Sequence, residues 1–107
     1  MSPADSERPF GHMVFFTLVD ASPDHQQHLV DACHKYLSDH PGTVHFSAGT
    51  LADTARDVND RDFHVALHLV FANRAAHDAY QAAERHHEFI REQKPRWAKV
   101  RVFDSYL

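Results

Sequence analysis

Cysteine occurs once in this 107-residue chain, at Cys33, which excludes an internal disulfide. Mean hydropathy is −0.52. No apolar run is long enough to cross a bilayer, so a transmembrane helix is excluded. Basic clusters are also missing. Lys and Arg total 11 against 15 Asp and Glu, a formal charge of −4. That balance argues against nucleic acid and against an anionic membrane surface as partners. The opening Met1-Ser2-Pro3-Ala4-Asp5-Ser6-Glu7-Arg8-Pro9 has no apolar centre, so it does not read as a signal peptide. Residues 1–10 are expected to be a disordered lead-in and residues 11–107 a single domain. Without a signal or a disulfide, the cytoplasm is the expected setting.

Histidine, in contrast, is abundant, with 11 copies. His25, His28, His34, His40 and His77 fall where exposed helix positions or turns are expected, and read as solvated polar residues. His12 and His64 differ. His12 heads the run His12-Met13-Val14-Phe15-Phe16-Thr17-Leu18-Val19, and His64 lies in Phe63-His64-Val65-Ala66-Leu67-His68-Leu69-Val70-Phe71. Alternate residues of a strand share a face. His12 is therefore grouped with Val14, Phe16 and Leu18, and His64 with Ala66, His68 and Val70. An imidazole on a buried face needs a hydrogen bond or a cavity, so these two point to a polar spot inside an apolar core.

Strand-like stretches cover about 12–19, 43–51, 62–71 and 98–106. After the first, Ser22 suits a helix N-cap, Pro23 its first position and Asp24 its positive end. Leu29, Val30, Cys33, Tyr36 and Leu37 then form an amphipathic stripe that His40-Pro41-Gly42 ends. Residues 52–61 are polar and read as a loop. Asn73 can cap a second helix through Ala76, Ala79, Tyr80, Ala83, His86 or His87, and Ile90, with Pro95 ending it. The order strand–helix–strand–strand–helix–strand is that of a ferredoxin-like α+β sandwich, βαββαβ with a four-stranded antiparallel sheet. Large apolar residues fall on both sheet faces. Met13, Phe15, Val19, Phe63, Val65, Leu67, Leu69 and Phe71 are assigned to the face away from the helices. A second copy of the chain is the simplest cover for that face, so a homodimer is expected.

Several of these segments resemble the stress-responsive dimeric α/β-barrel (Dabb) family. They are the opening His12-x-Val14, the strand Phe63-His64-Val65-Ala66-Leu67, Asp78-Ala79-Tyr80 followed by His86 and Phe89, and the closing Val102-Phe103-Asp104. The likeness runs from about Gly11 to the end and implies a dimeric α/β-barrel. A plant member of the family folds a linear polyketide by aldol chemistry without a cofactor. Its pocket uses a strand-one histidine, a strand-three histidine, and a catalytic tyrosine–histidine couple from the second helical region. The resemblance thus implies Tyr80 and His86 as catalytic, His12 and His64 as supporting, and no cofactor or metal. An imidazole can remove a proton alpha to a carbonyl, and a phenol can donate to the enolate oxygen. Val14, Phe16 and Val70 would wall in a small apolar ligand.

One departure bears on the couple. Family sequences often carry His-Pro between the tyrosine and the later histidine, where this chain reads Ala83-Glu84-Arg85. In an unbroken helix, at about 100° per residue, residues six apart diverge by about 120°. The couple is then Tyr80 with His86, Tyr80 with His87, or neither. The plainer alternatives also stand: His12 and His64 as satisfied core histidines, Tyr80 as a core residue, and Cys33, Trp97 and Phe103 as packing. Functionally, a proton-abstracting cyclase stands beside a non-enzymatic small-molecule binder or scaffold, with a cofactor-free monooxygenase as a weaker third reading that rests on fold likeness.

Overall fold

The computed structural model describes residues 4–107. Four strands form one antiparallel sheet in the order β2-β3-β1-β4, with β1 Phe10–Leu18, β2 Thr43–Thr50, β3 Val65–Phe71 and β4 Trp97–Tyr106. Three helices, α1 Pro23–Leu37, α2 Arg74–Ala82 and α3 Glu84–Gln93, pack on one face. This is the ferredoxin-like α+β arrangement expected from the element order.

The caps sit where the side-chain chemistry places them. Ser22 Oγ accepts from His25 N at 3.3 Å, with Pro23 opening α1. Asn73 Oδ1 accepts from Ala76 N at 2.9 Å at the start of α2. Helix α1 ends at Leu37, before His40-Pro41-Gly42, and the chain turns through Asp39 at φ 61°. Gly42 has φ 83°, and a Cβ there would meet Ala76 Cβ at 2.5 Å, so both backbone and space require glycine. That close approach seats α2 against the α1–β2 turn.

The largest departure from expectation is in the second helical region. It is two helices, not one. Ala83 takes extended angles, φ −69° and ψ 145°, between α2 and α3. Its carbonyl accepts from the His86 and His87 amides at 3.1 and 3.2 Å, which restarts the helix. Arg85, two residues into the new direction, donates to the Ser38 and Lys35 carbonyls at 3.0 and 2.6 Å. These are unpaired carbonyls at the end of α1, and a guanidinium suits them. No proline is needed to make the break.

The register also corrects the faces. Directly paired antiparallel residues project to the same side. Val14 pairs with Leu67 and His12 with Leu69, so Val65, Leu67, Leu69 and Phe71 lie under the helices, not on the open face. Paired with Gly11, Met13 and Phe15, the residues Val70, His68 and Ala66 lie on the open face. Strand β3 begins at Val65, three residues later than expected. Phe63, just before it, joins Phe15 on the open face, with ring centroids 4.9 Å apart.

The expected lead-in is also shorter than 1–10. Residues Asp5–Glu7 form a single 3-10 turn, and Phe10 is a buried member of β1, with its ring 4.3 Å from that of His77. Residues 1–3 lie outside the described residues.

Candidate functional site

Between the sheet and α2–α3 lies a mostly apolar cavity of about 140 Å³, lined among others by His12, Val14, Phe16, Tyr80, Gln81, His86, Phe89, Trp97 and Val102. Val14 and Phe16 come from the buried face of β1, and Val102 from the matching face of β4, where it pairs with Val14. The break at Ala83 turns α3 so that His86 returns toward Tyr80. Their ring centroids are 4.8 Å apart in an edge-to-face arrangement. Of the open pairings, Tyr80 with His86 is therefore the one brought together here, and His87 is exposed.

His12 is buried and faces the same cavity. Its Nδ1 lies 2.6 Å from Asp104 Oδ1, across the β1–β4 pairing. A carboxylate on Nδ1 fixes the tautomer with the proton there and leaves Nε2 as an acceptor. Burial pushes the His12 pKa down, while Asp104 pulls it up. His86 is pushed down to about 4, first by burial and then by the neighbouring histidines His87, His12, His40 and His77. Burial raises the Tyr80 phenol well above its ordinary value. At neutral pH the cavity thus presents a neutral phenol and neutral imidazoles. Two buried polar atoms on residues of its wall, His86 Nδ1 and Trp97 Nε1, have no hydrogen-bond partner among the described residues.

His64 and Val70 do not reach this site. His64 precedes β3, and its Nδ1 accepts from Leu18 N at 3.0 Å while its own N–H donates to the Phe16 carbonyl at 2.8 Å. It fastens the end of β1. Val70 is on the opposite sheet face, paired with Gly11. The pocket expected around five substrate-contacting residues keeps His12, Val14 and Phe16.

Other residues near the site were read differently from the sequence. Asp104 orients His12, through a register between β1 and β4 that the sequence of neither strand fixes alone. Trp97, read as packing, lines the cavity. His40, read as solvated, is buried, with Nε2 2.7 Å from the Tyr36 carbonyl and its ring 5.0 Å from that of Tyr80. His77 also turns inward, its ring 4.9 Å from that of His12. Neither the helix position of His77 nor the turn position of His40 distinguished these two from the exposed histidines.

The stress responsive A/B barrel domain model matches residues 10–107. Among curated proteins none matches the chain. A Dabb family protein with a ferredoxin-like fold from Mesorhizobium loti is similar at 25% identity and TM-score 0.77, over 94% of this chain and 97% of that one. A dimeric ferredoxin-like protein of unknown function from Thermobifida fusca is 18% identical, with TM-score 0.79 over 99% and 97%. Hydroxynitrile lyase from Passiflora edulis is 20% identical, with TM-score 0.75 over 94% of each chain. With its family model spanning both β1 and β4, and so the whole wall of this cavity, the chain belongs to the stress responsive A/B barrel domain (Dabb) family.

Proposed function

We propose that this protein binds a small, largely apolar carbonyl compound between sheet and helices and moves a proton on it without a cofactor. The observation that carries the reading is the convergence of Tyr80, His86 and His12 on one apolar cavity, produced by a helix break that no proline demands. Neutral His86 accepts the proton, Tyr80 donates to the developing oxyanion, and His12, held by Asp104, accepts from a ligand hydroxyl or passes the proton on. The unpartnered Trp97 N–H is a further donor for a ligand oxygen.

Size narrows the ligand. A cavity of about 140 Å³ is close to the roughly 150 Å³ that accepts benzene. That favours a one-ring or short branched compound over a long polyketide chain. Proton removal alpha to a carbonyl, as in an aldol cyclase, and proton removal from a cyanohydrin hydroxyl, as in a lyase, need the same base. The Passiflora enzyme with this fold makes the second worth testing beside the first. A non-enzymatic binder uses the same cavity without turnover.

A homodimer in the cytoplasm is part of the proposal. Dimeric relatives with this fold support the pairing. So does the open sheet face, where Phe15 packs edge-on to Phe63 and Phe103, and Phe103 is half exposed. No helix of the described residues is long and apolar enough to cross a membrane.

The test is a binding titration, followed by NMR, with benzaldehyde-sized carbonyl compounds and with long-chain analogues. Saturable shifts of the Tyr80, His86 and Trp97 signals by the small set alone are expected. Shifts confined to the open sheet face, or none with either set, would overturn the reading.

A further inference from the structure

A second constellation sits at the edge of the cavity and shares His12 with it. One ligand atom each from His12, His77 and Asp104 lies within 4.8 Å of the other two. His12 Nδ1 is 2.6 Å from Asp104 Oδ1, and His77 Nδ1 is 3.0 Å from Asp78 Oδ1. Each imidazole therefore has a carboxylate on Nδ1, which places its proton there and leaves Nε2 with a free lone pair. Both Nε2 atoms turn toward one group, the Gln81 amide. Gln81 Nε2 lies 3.5 Å from His12 Nε2 and 3.4 Å from His77 Nε2.

A carboxylate on the far ring nitrogen is the usual support behind a metal-ligating histidine in proteins. The carboxylates fix the ring orientation. We propose that His12 and His77 bind a divalent metal of the zinc class through Nε2, with Gln81 turning its amide oxygen inward as a third ligand. Imidazole and amide donors of this kind suit Zn²⁺ and its neighbours; Mg²⁺ and Ca²⁺ take oxygen sets. Asp104 and Asp78 supply the negative charge that offsets the cation. His12 comes from β1 and His77 from α2, so the metal ties the sheet to the helix layer. It also occupies the His12 lone pair that the cavity ligand would use, so metal and ligand compete.

Zn²⁺ is titrated calorimetrically into the untagged full chain, and Co²⁺ is followed by its visible absorption. One equivalent of metal is expected, lost in His77→Ala and weakened about 10- to 100-fold in Asp104→Asn, with the Co²⁺ bands shifted in Gln81→Leu. His25→Ala, at a half-exposed position in the first turn of α1 beside Asp20, controls for adventitious binding by the other histidines and should keep the full equivalent. Circular dichroism checks each fold, and His77→Gln replaces His77→Ala if the alanine variant unfolds. Unchanged stoichiometry and affinity in the folded His77 variant would overturn the site, as would an equivalent lost only with His25.

Discussion

His86 is the residue on which pH acts most clearly. Its pKa is about 4 in the folded protein against an ordinary 6.5. The unfolded chain therefore takes up this proton first as pH falls. Stability from the neutral, buried imidazole is present above about pH 6.5 and is lost as pH drops toward 4. Urea melts across that window should show the loss in the wild type and a smaller one in His86→Gln. If the ring is also the proton acceptor, the acid limb of activity should lie near pH 4 instead of 6.5. His64 is expected to behave differently. His64→Ala removes the acceptor of the Leu18 amide and should cost about 1–2 kcal/mol of stability, yet leave ligand affinity within twofold. A large affinity loss in a folded His64→Ala would put that histidine back in the pocket.

At the scale of elements, the site depends on a break between α2 and α3 that local sequence does not announce. The caps at Ser22 and Asn73, the stripe of α1 and the turn at Gly42 were legible because each rests on neighbouring residues. The break is not local. It is fastened by Arg85 to carbonyls almost fifty residues earlier in the chain. Strand faces failed for a related reason. His64 and Val70 were placed by counting in twos, and parity alone does not say which set meets the helices. The pairing with β1 decides that, and a one-residue slip exchanges the faces. Arg85→Ala should cost about 1 kcal/mol and weaken ligand binding at least as much as it weakens folding, as paired melts and titrations would show. Gly42→Ala, with a positive φ and Ala76 in the way, should destabilise by more than about 1 kcal/mol; an unchanged melt would mean that the α1–β2 turn yields easily.

For the whole molecule, the element order was enough to give the layered βαββαβ architecture, because strand and helix periods differ and the connections are short. What lies on the open sheet face was only half legible. Met13 and Phe15 were assigned there correctly, while the odd residues of β3 belong under the helices. The remaining aromatic cluster of Phe15, Phe63 and Phe103, with Arg101 and Asp60 at its margin, still asks for a partner. Phe15→Asp should convert a dimer to monomer in light scattering, with the cavity intact because Phe15 projects away from it. A variant that stays dimeric would move the interface elsewhere.

The most direct measurement is solvent deuterium exchange at the α-carbon of a small cyclic or aryl ketone, followed by NMR with the wild type, Tyr80→Phe and His86→Asn. Cofactor-free proton removal alpha to a carbonyl in this cavity requires exchange above background with the wild type, reduced about 100-fold or more by His86→Asn and strongly by Tyr80→Phe, with both variants folded. Exchange that is equally fast in all three proteins, or absent while the ketone binds, would contradict it.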